Sequence, residues 1–434
     1  MRTWNRRAAL RVLGGTALGG STLLAACGGN SEASGGARLR LLNASNGYAS
    51  LDLTVGDAGA GSAIGFGQAG AYADADTRGV TTVVSAHGSG TALASATRTL
   101  ARDTAYTLVA YGWAGALKTA LIEENLDAAS SGKARLQVMN LAADAGTLDV
   151  YLTGADEPLD SATPLASSVA GGATASAVTL NAGSYRLRVT AAGDRSDLRL
   201  DVTGLALASI EVATLLLVPG SGGVLVQAVL ARQQGSVEAQ ANPLARLRVL
   251  ASLADGGRVT CTVGGTVVTS NATSPAIGNY ALVTGGQPLV NLLVDGRALA
   301  VPATALPAGG DYTLLVWGDA AAPQLTWISD DNRLPADTAR AKVRLVHAVT
   351  DLATPVTLTV NSALLANLSN VARGTASSAV QIAPATGATV EVFAGTSAAA
   401  VYAKTDALFV AKGLYTVYLL GSTAAPLFRT LQDR

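Results

Sequence analysis

The 434-residue chain is poor in the side chains that carry most protein chemistry: it has 2 cysteines, 2 histidines and 2 methionines, with 4% aromatic and 14% charged residues. Two cysteines exclude a disulfide framework and a cysteine-based zinc module. Two histidines, His87 and His347, stand 260 positions apart, so neither supports the other as a ligand or a relay partner by sequence. Charge is scarce but hydrophobic residues reach 49%, which argues against intrinsic disorder, where low hydrophobicity accompanies high net charge. The scarcity of Glu and Lys argues equally against a long-helix protein. No Gly-x-Ser-x-Gly elbow and no Gly-x4-Gly-Lys-Ser/Thr phosphate loop occurs. In place of charge the chain carries Ala, Ser, Thr and 48 glycines, the material of short strands and tight turns.

The amino terminus has a different character. Arg2, Arg6, Arg7 and Arg11 precede an apolar run from Val12 to Ala26. At 15 residues the run falls short of the roughly 20 that a membrane-spanning helix needs, and a basic region before a short apolar one reads as a secretory signal. Leu24-Ala25-Ala26-Cys27 resembles the lipobox of bacterial lipoproteins. The resemblance implies cleavage before Cys27, a multiply acylated Cys27, and a Gly/Ser-rich tether through residues 27–36. Attachment to a membrane then comes from the lipid, since one acyl chain binds marginally and two or more anchor stably. Asn5-Arg6-Arg7-Ala8-Ala9-Leu10 also resembles a twin-arginine export signal, with Ala9 in place of the usual strongly apolar residue. Paired arginines occur in ordinary secretory signals too, so both routes stay open. Gly28 stands where an Asp would mark inner-membrane retention, which favours the outer membrane over the inner. Loss of residues 1–26 leaves 26 basic against 30 acidic residues, net −4, with no electrostatic footprint for nucleic acid.

The rest of the chain repeats itself. Ala37-Arg-Leu-Arg-Leu-Leu, Ala134-Arg-Leu-Gln-Val-Met, Ala245-Arg-Leu-Arg-Val-Leu and Ala341-Lys-Val-Arg-Leu-Val recur at spacings of 97, 111 and 96. Each alternates polar with apolar residues, the mark of a strand with one buried face. A second alternating run follows each (Leu51-Asp-Leu-Thr-Val, Leu148-Asp-Val-Tyr-Leu, Val259-Thr-Cys-Thr-Val, Val356-Thr-Leu-Thr-Val). The repeat ends also match: Tyr106-Thr-Leu-Val, Ala213-Thr-Leu-Leu, Tyr312-Thr-Leu-Leu and Tyr415-Thr-Val-Tyr each lead through a turn into a last strand. About seven short strands in about 100 residues describe an immunoglobulin-like β-sandwich. The expectation is an all-β chain of tandem sandwich repeats at 37–133, 134–240, 245–339 and 341–434, after a signal peptide at 1–26. Tyr106, Tyr312 and Tyr415 follow turns at one aligned position, with Tyr185 one hairpin earlier in repeat 2; these suit tyrosine corners, whose hydroxyl bonds nearby backbone.

These openings carry a resemblance to a known family. Lys342-Val-Arg-Leu-Val-His-Ala, and Ala134-Arg-Leu with Leu148-Asp-Val-Tyr-Leu-Thr-Gly and Leu180-Asn-Ala-Gly-Ser-Tyr-Arg-Leu-Arg-Val, resemble the domain of unknown function 4397 family. Repeat 4 keeps the family's His at His347 without the following Asp-Val-Tyr, and repeat 2 keeps Asp149-Val-Tyr with Asn140 in the His position. The resemblance covers most of residues 37–434. It implies a β-sandwich in an exported, often lipid-anchored bacterial surface protein, and it implies no activity.

The remaining candidates for chemistry are sparse. His87 reads as a solvated loop residue and His347 as packing at a sandwich edge. Cys261, inside Val259-Thr-Cys-Thr-Val, reads as a small core residue rather than a reactive thiol. Asp74 and Asp76, and separately Asp330, Asp331 and Asp337 between repeats 3 and 4, offer loop oxygens to calcium; solvated turn residues are the plainer reading, and no cofactor is expected. Trp113 and Trp317, at the ends of penultimate strands, suit packing or an exposed sugar-binding rim. The expected function is a non-catalytic binding or adhesion module of the cell envelope, its partner an envelope protein or a glycan. The alternatives are a structural spacer and, third, a glycan hydrolase. Binding requires one shaped, aromatic-lined surface, expected in the loops Gly56–Gly79 or Ala155–Ala173; a spacer requires four featureless ends.

Overall fold

A computed structural model of the chain describes residues 36–433; Arg6, Arg7 and Cys27 lie outside the described residues. Gly36–Arg434 form one compact unit. Within it the strands assemble into eight sheets, two for each repeat. In repeat 1, one sheet runs Ala73–Ala75, Ala37–Ala44, Ala105–Trp113, Ala116–Glu123; the facing sheet runs Ala58–Gly65, Ser50–Val55, Val80–Ala86, Ala92–Arg98. The other three repeats keep this plan.

The opening strand lies inside its sheet and pairs in parallel with the penultimate strand: Arg38 opposite Ala105, Arg135 opposite Val212, Arg246 opposite Asp311, Lys342 opposite Leu414. The two-sheet architecture is immunoglobulin-like, with this central parallel pair as its own feature. The alternating residues close each sandwich. Leu39, Leu41, Leu51, Leu53 and Leu108 fill repeat 1, and Val343, Leu345, Leu358, Val392 and Val417 fill repeat 4. Each fully buried aliphatic side chain contributes about 1.5–3 kcal/mol relative to exposure. Cys261 is fully buried in the third core, and burial pushes its thiol up to about 11, which keeps it an unreactive filler.

The tyrosine corners are present. Tyr106 and Tyr415 accept the N–H of Ala101 at 2.9 Å and of Val410 at 2.8 Å; Tyr312 and Tyr185 donate to the carbonyls of Pro307 at 3.0 Å and Asn181 at 2.7 Å.

One expectation fails in an informative way. The opening strands were expected to bury one face; that of repeat 2 keeps the alternation, but those of repeats 1, 3 and 4 bury both, as do penultimate strands such as Val212–Pro219 and Leu414–Gly421. The outward face of repeat 1 (Leu42, Ala44, Val109) packs on that of repeat 2 (Leu216, Val218, Val229), and Leu250 and Leu315 of repeat 3 pack on Val346, Tyr418 and Leu420 of repeat 4. The repeats therefore stand back to back in two pairs. Asn242 ties the pairs together, donating to the carbonyls of Arg199 at 2.7 Å and Val226 at 2.8 Å while it caps Leu244.

Candidate functional site

The polar positions of the opening strands, which a single strand would turn to water, form a buried charge cassette at each back-to-back interface. In the pair of repeats 3 and 4, Arg248 donates Nε to Thr313 at 2.9 Å and Nη1 across the interface to Asp433 at 3.0 Å. Arg344 mirrors it, with Nε on Thr416 at 2.9 Å and Nη1 on Asp330 at 2.7 Å. Tyr280 donates to Asp330 at 2.7 Å, and its ring lies under the guanidiniums of Arg246 and Arg248 at 4.4 and 4.5 Å. Burial would raise the Asp330 carboxyl, but the charges of Arg344 and Arg248 outweigh it and hold the group below its ordinary value. Repeat 1 carries the same set as Arg40, Thr107, Glu124 and Tyr72. Repeat 2 has Gln137, Thr214 and Gln233 at the corresponding places, so its arginine and its acid are both absent. A buried pair broken on one side leaves a stranded charge, and losing both partners avoids that.

The aspartates considered for calcium pair with cations in this arrangement. Asp330 is spent on arginines at the interface; Asp331 binds Arg333 at 2.6 Å and Lys342 at 2.8 Å; Asp337 faces Arg340 at 3.6 Å. Among the described residues no group of three or more acidic, cysteine or histidine side chains is gathered as a metal site would need. Asp74 sits in the short strand Ala73–Ala75 opposite Arg38. His347 is not at an edge: it is fully buried between Leu419 and Thr375, and burial lowers its imidazole to about 4. His87 is more than a solvated residue, since its Nδ1 meets Asp52 at 2.9 Å. Ser62 Oγ approaches the same Nδ1 at 3.5 Å. A serine–histidine–acid relay uses the two ring nitrogens separately, and this trio does not.

Gly56–Gly79 contains the strands Ala58–Gly65 and Ala73–Ala75. The Ala155–Ala173 segment is strapped to its own sheet by Arg186, Arg188 and Arg195, which donate to the carbonyls of Ala155 at 3.2 Å, Glu157 at 2.8 Å and Ala162 at 2.9 Å.

A cleft of about 490 Å³ opens elsewhere, where repeats 1, 2 and 4 meet the linker between repeats 3 and 4. Trp113, Ala114 and Lys118 of repeat 1, Asp144 and Pro219 of repeat 2, Arg333–Ala336 of the linker and Ala379–Gln381 of repeat 4 line it. Its walls are tied to one another. Asp144, on the short 3-10 turn Ala143–Ala145, accepts the Trp113 indole N–H at 2.6 Å and the backbone N–H of Leu334 at 2.8 Å. Arg333 lies 4.9 Å over the Trp113 ring, a cation–π contact. Lys342 reaches back to the carbonyls of Asp331 at 3.2 Å and Arg333 at 2.9 Å. Burial would raise Asp331, but hydrogen bonds from Arg333 and Lys342 dominate and hold it at about 2, so the linker stays locked as an ion pair at all physiological pH. The Lys118 ammonium has no hydrogen-bond or ion-pair partner among the described residues.

Trp113 was expected on a strand end, and there it is, as a cleft wall. Trp317 is a packing group: its indole donates to Thr326 at 3.0 Å, and its ring seats against Gly374. Asp144, Arg333, Lys342 and Ala379–Gln381 carried no signal in the sequence, because the cleft joins positions more than 200 residues apart.

The model of a family described as "Domain of unknown function (DUF4397)" matches residues 37–151 and 245–351. Among curated proteins none matches the chain. Solved structures similar to it include a candidate cell adhesion protein from Bacteroides uniformis, 11% identical with a TM-score of 0.23, over 46% of this chain and 98% of that one. Another, from Bacteroides ovatus, is 9% identical with a TM-score of 0.21, over 46% and 97%. A third, from Parabacteroides distasonis, is 10% identical with a TM-score of 0.17, over 70% and 98%. At such identities and scores the likeness says nothing of ligand or partner.

Proposed function

This chain belongs to the DUF4397 family, and from that premise we propose that it is a non-catalytic binding module of the bacterial cell envelope, lipid-anchored through Cys27, whose contact surface is the cleft at Trp113. The observation that carries the reading is the cleft itself. Its size lies within the range of specific ligand sites, and it sits where such sites concentrate, at a junction between domains. It holds one aromatic wall and a few fixed polar groups, and the hydrogen bonds of Asp144 and Asp331 pre-organise it. A spacer would gain reach by stringing its repeats out; here repeats 1, 2 and 4 converge. Against a hydrolase reading, the Ser62–His87–Asp52 trio lacks relay geometry.

The anchor rests on the resemblance of Leu24–Cys27 to a lipobox, and the outer membrane on Gly28. Mass spectrometry of the mature terminus is expected to find an acylated Cys27, and an uncleaved or unmodified terminus would remove the anchor. Replacing Arg6 and Arg7 with lysine separates the two export routes, because only the twin-arginine route requires both. For the binding surface, the full chain in detergent is used to capture envelope proteins and glycans beside Trp113→Ala. Partners retained by the native chain and lost from the variant support the cleft; equal retention by both puts the contact surface elsewhere.

A further inference from the structure

Part of the cleft lining is a sheet edge, and its backbone is oriented for another strand. Val380–Ile382 pairs antiparallel with the opening strand Ala341–Val349, with Gln381 opposite Lys342 and Val380 opposite Val343. The Lys342 N–H is directed the other way, to the carbonyl of Gly413 at 2.9 Å, just before the penultimate strand Leu414–Gly421. In an antiparallel ladder, hydrogen-bonded and non-hydrogen-bonded pairs alternate, so Lys342 and Gln381 form a non-hydrogen-bonded pair. Leu345, of the opposite parity, does accept from Ser377 at 2.8 Å. The backbone N–H and C=O of Gln381 therefore point outward from the sheet. Gln381 lines the cleft.

Exposed edges are usually blunted by Lys, Pro or a bulge; Val380–Ile382 has no Lys or Pro, and the one bulge, a register shift between Ala376 and Val380, lies before it. From the linker the Asp337 N–H reaches the Gln381 side chain, at 3.3 Å, and this bond does not use the Gln381 backbone. Trp113 lines the same cleft. The charged groups of the cleft are Lys118, Arg333 and Lys342 against Asp144 and Asp331. Both Asp144 oxygens are committed, to the indole and to Leu334; Asp331 is shared by two cations; Lys118 is unpaired.

We propose that the cleft takes an acidic peptide in extended conformation, which adds as a strand to the edge Val380–Ile382 at Gln381 and sets a carboxylate on Lys118. This rests on the cleft being the binding surface. Strand addition draws affinity from main-chain hydrogen bonds and specificity from alternate side-chain pockets; here Trp113 would line the pocket and Lys118 would select charge.

The test uses the full chain and two probes, a random peptide library displayed on phage and a glycan array. Peptides recovered are expected to be acidic and rich in β-forming residues. Gln381→Pro is the decisive variant. Proline removes the outward N–H but no bond to Ala341–Val349, so it suits this edge position and leaves the melting temperature in place. Binding of a recovered peptide should fall about tenfold in Gln381→Pro, the value of one lost hydrogen bond. It should stay unchanged in Gln381→Ala, which loses only the side-chain bond to Asp337, and should weaken in Lys118→Glu. A peptide that binds Gln381→Pro as well as the native chain overturns strand addition. If that peptide still needs Trp113, the cleft reading survives alone. Retention of glycans only also overturns the peptide while sparing the cleft, and no retention in either arm overturns both.

Discussion

Asp330→Asn removes one of four charges from the interface between repeats 3 and 4 while keeping the side chain's shape. Asp330 is fully buried, and its oxygens accept Arg344 at 2.7 Å, Tyr280 at 2.7 Å and Thr313 at 2.5 Å. The substitution leaves Arg248 and Arg344 sharing Asp433 alone, and it aims an amide N–H₂ at groups that already donate. Breaking one side of a buried ion pair costs about 3–5 kcal/mol, a large share of the 5–15 kcal/mol typical of a folded domain. Arg344→Gln is expected to cost about the same, from the other side. The double variant restores neutrality, as Gln137 and Gln233 do in repeat 2. It should cost less than the two singles together by at least about 1 kcal/mol, within the range of couplings between residues in contact. Urea unfolding followed by tryptophan fluorescence reads this out, since Trp317 packs in that interface, with the midpoint and slope compared across the four proteins. A single-variant cost under about 0.5 kcal/mol, or additivity to within about 0.5 kcal/mol, would refute the view that the cassette holds the pair together. The pH dependence has a defined sign. Asp330 is held below its unfolded value, so its contribution is complete above about pH 4 and is lost as pH falls through the lower folded value; Asp330→Asn abolishes that acid limb.

His347 gives a second acid limb at higher pH. Its imidazole is lowered to about 4, so the unfolded chain takes up the proton first. Stability is complete above about pH 6.5 and falls by about 3 kcal/mol as pH drops from there to about 4; His347→Leu should flatten that slope in melting scans, and an unchanged slope would show the ring to be accessible. Tyr415→Phe removes the acceptor of the Val410 N–H and should lower stability by about 1–3 kcal/mol in urea titrations, without altering ligand capture. Gly374→Ala places a Cβ 2.2 Å from the Trp317 ring, at φ +75°; a loss of about 1–3 kcal/mol and a shift in tryptophan emission are expected. Cys261 should resist maleimide in the native protein and label at once in denaturant, because it is fully buried and its thiol is raised to about 11.

The strands were legible because they depend on short-range alternation. Ala37-Arg-Leu-Arg reads as a strand, and the strand Ala37–Ala44 forms there. The arginines were the misleading part. Arg40, Arg248 and Arg344 occupy positions that an isolated sandwich would turn to solvent, yet all three are buried. An alternating pattern tells which residues share a face, and it cannot tell whether a second body covers that face. A signal was present in Thr107, Thr313 and Thr416 after each corner tyrosine and in the acid closing each of those repeats, a set with no purpose on a solvated surface.

Local alternation, turn glycines and recurring openings were enough to specify an all-β chain of tandem repeats, with its tyrosine corners and its inert cysteine, because those features depend on neighbours a few residues away. Pairing the repeats back to back, setting Asp330 against arginines at their interface, and assembling the cleft from Trp113, Asp144, Arg333 and Gln381 were left to tertiary packing. Those outcomes depend on which outward faces meet, and that is settled by buried area and charge balance between segments hundreds of residues apart.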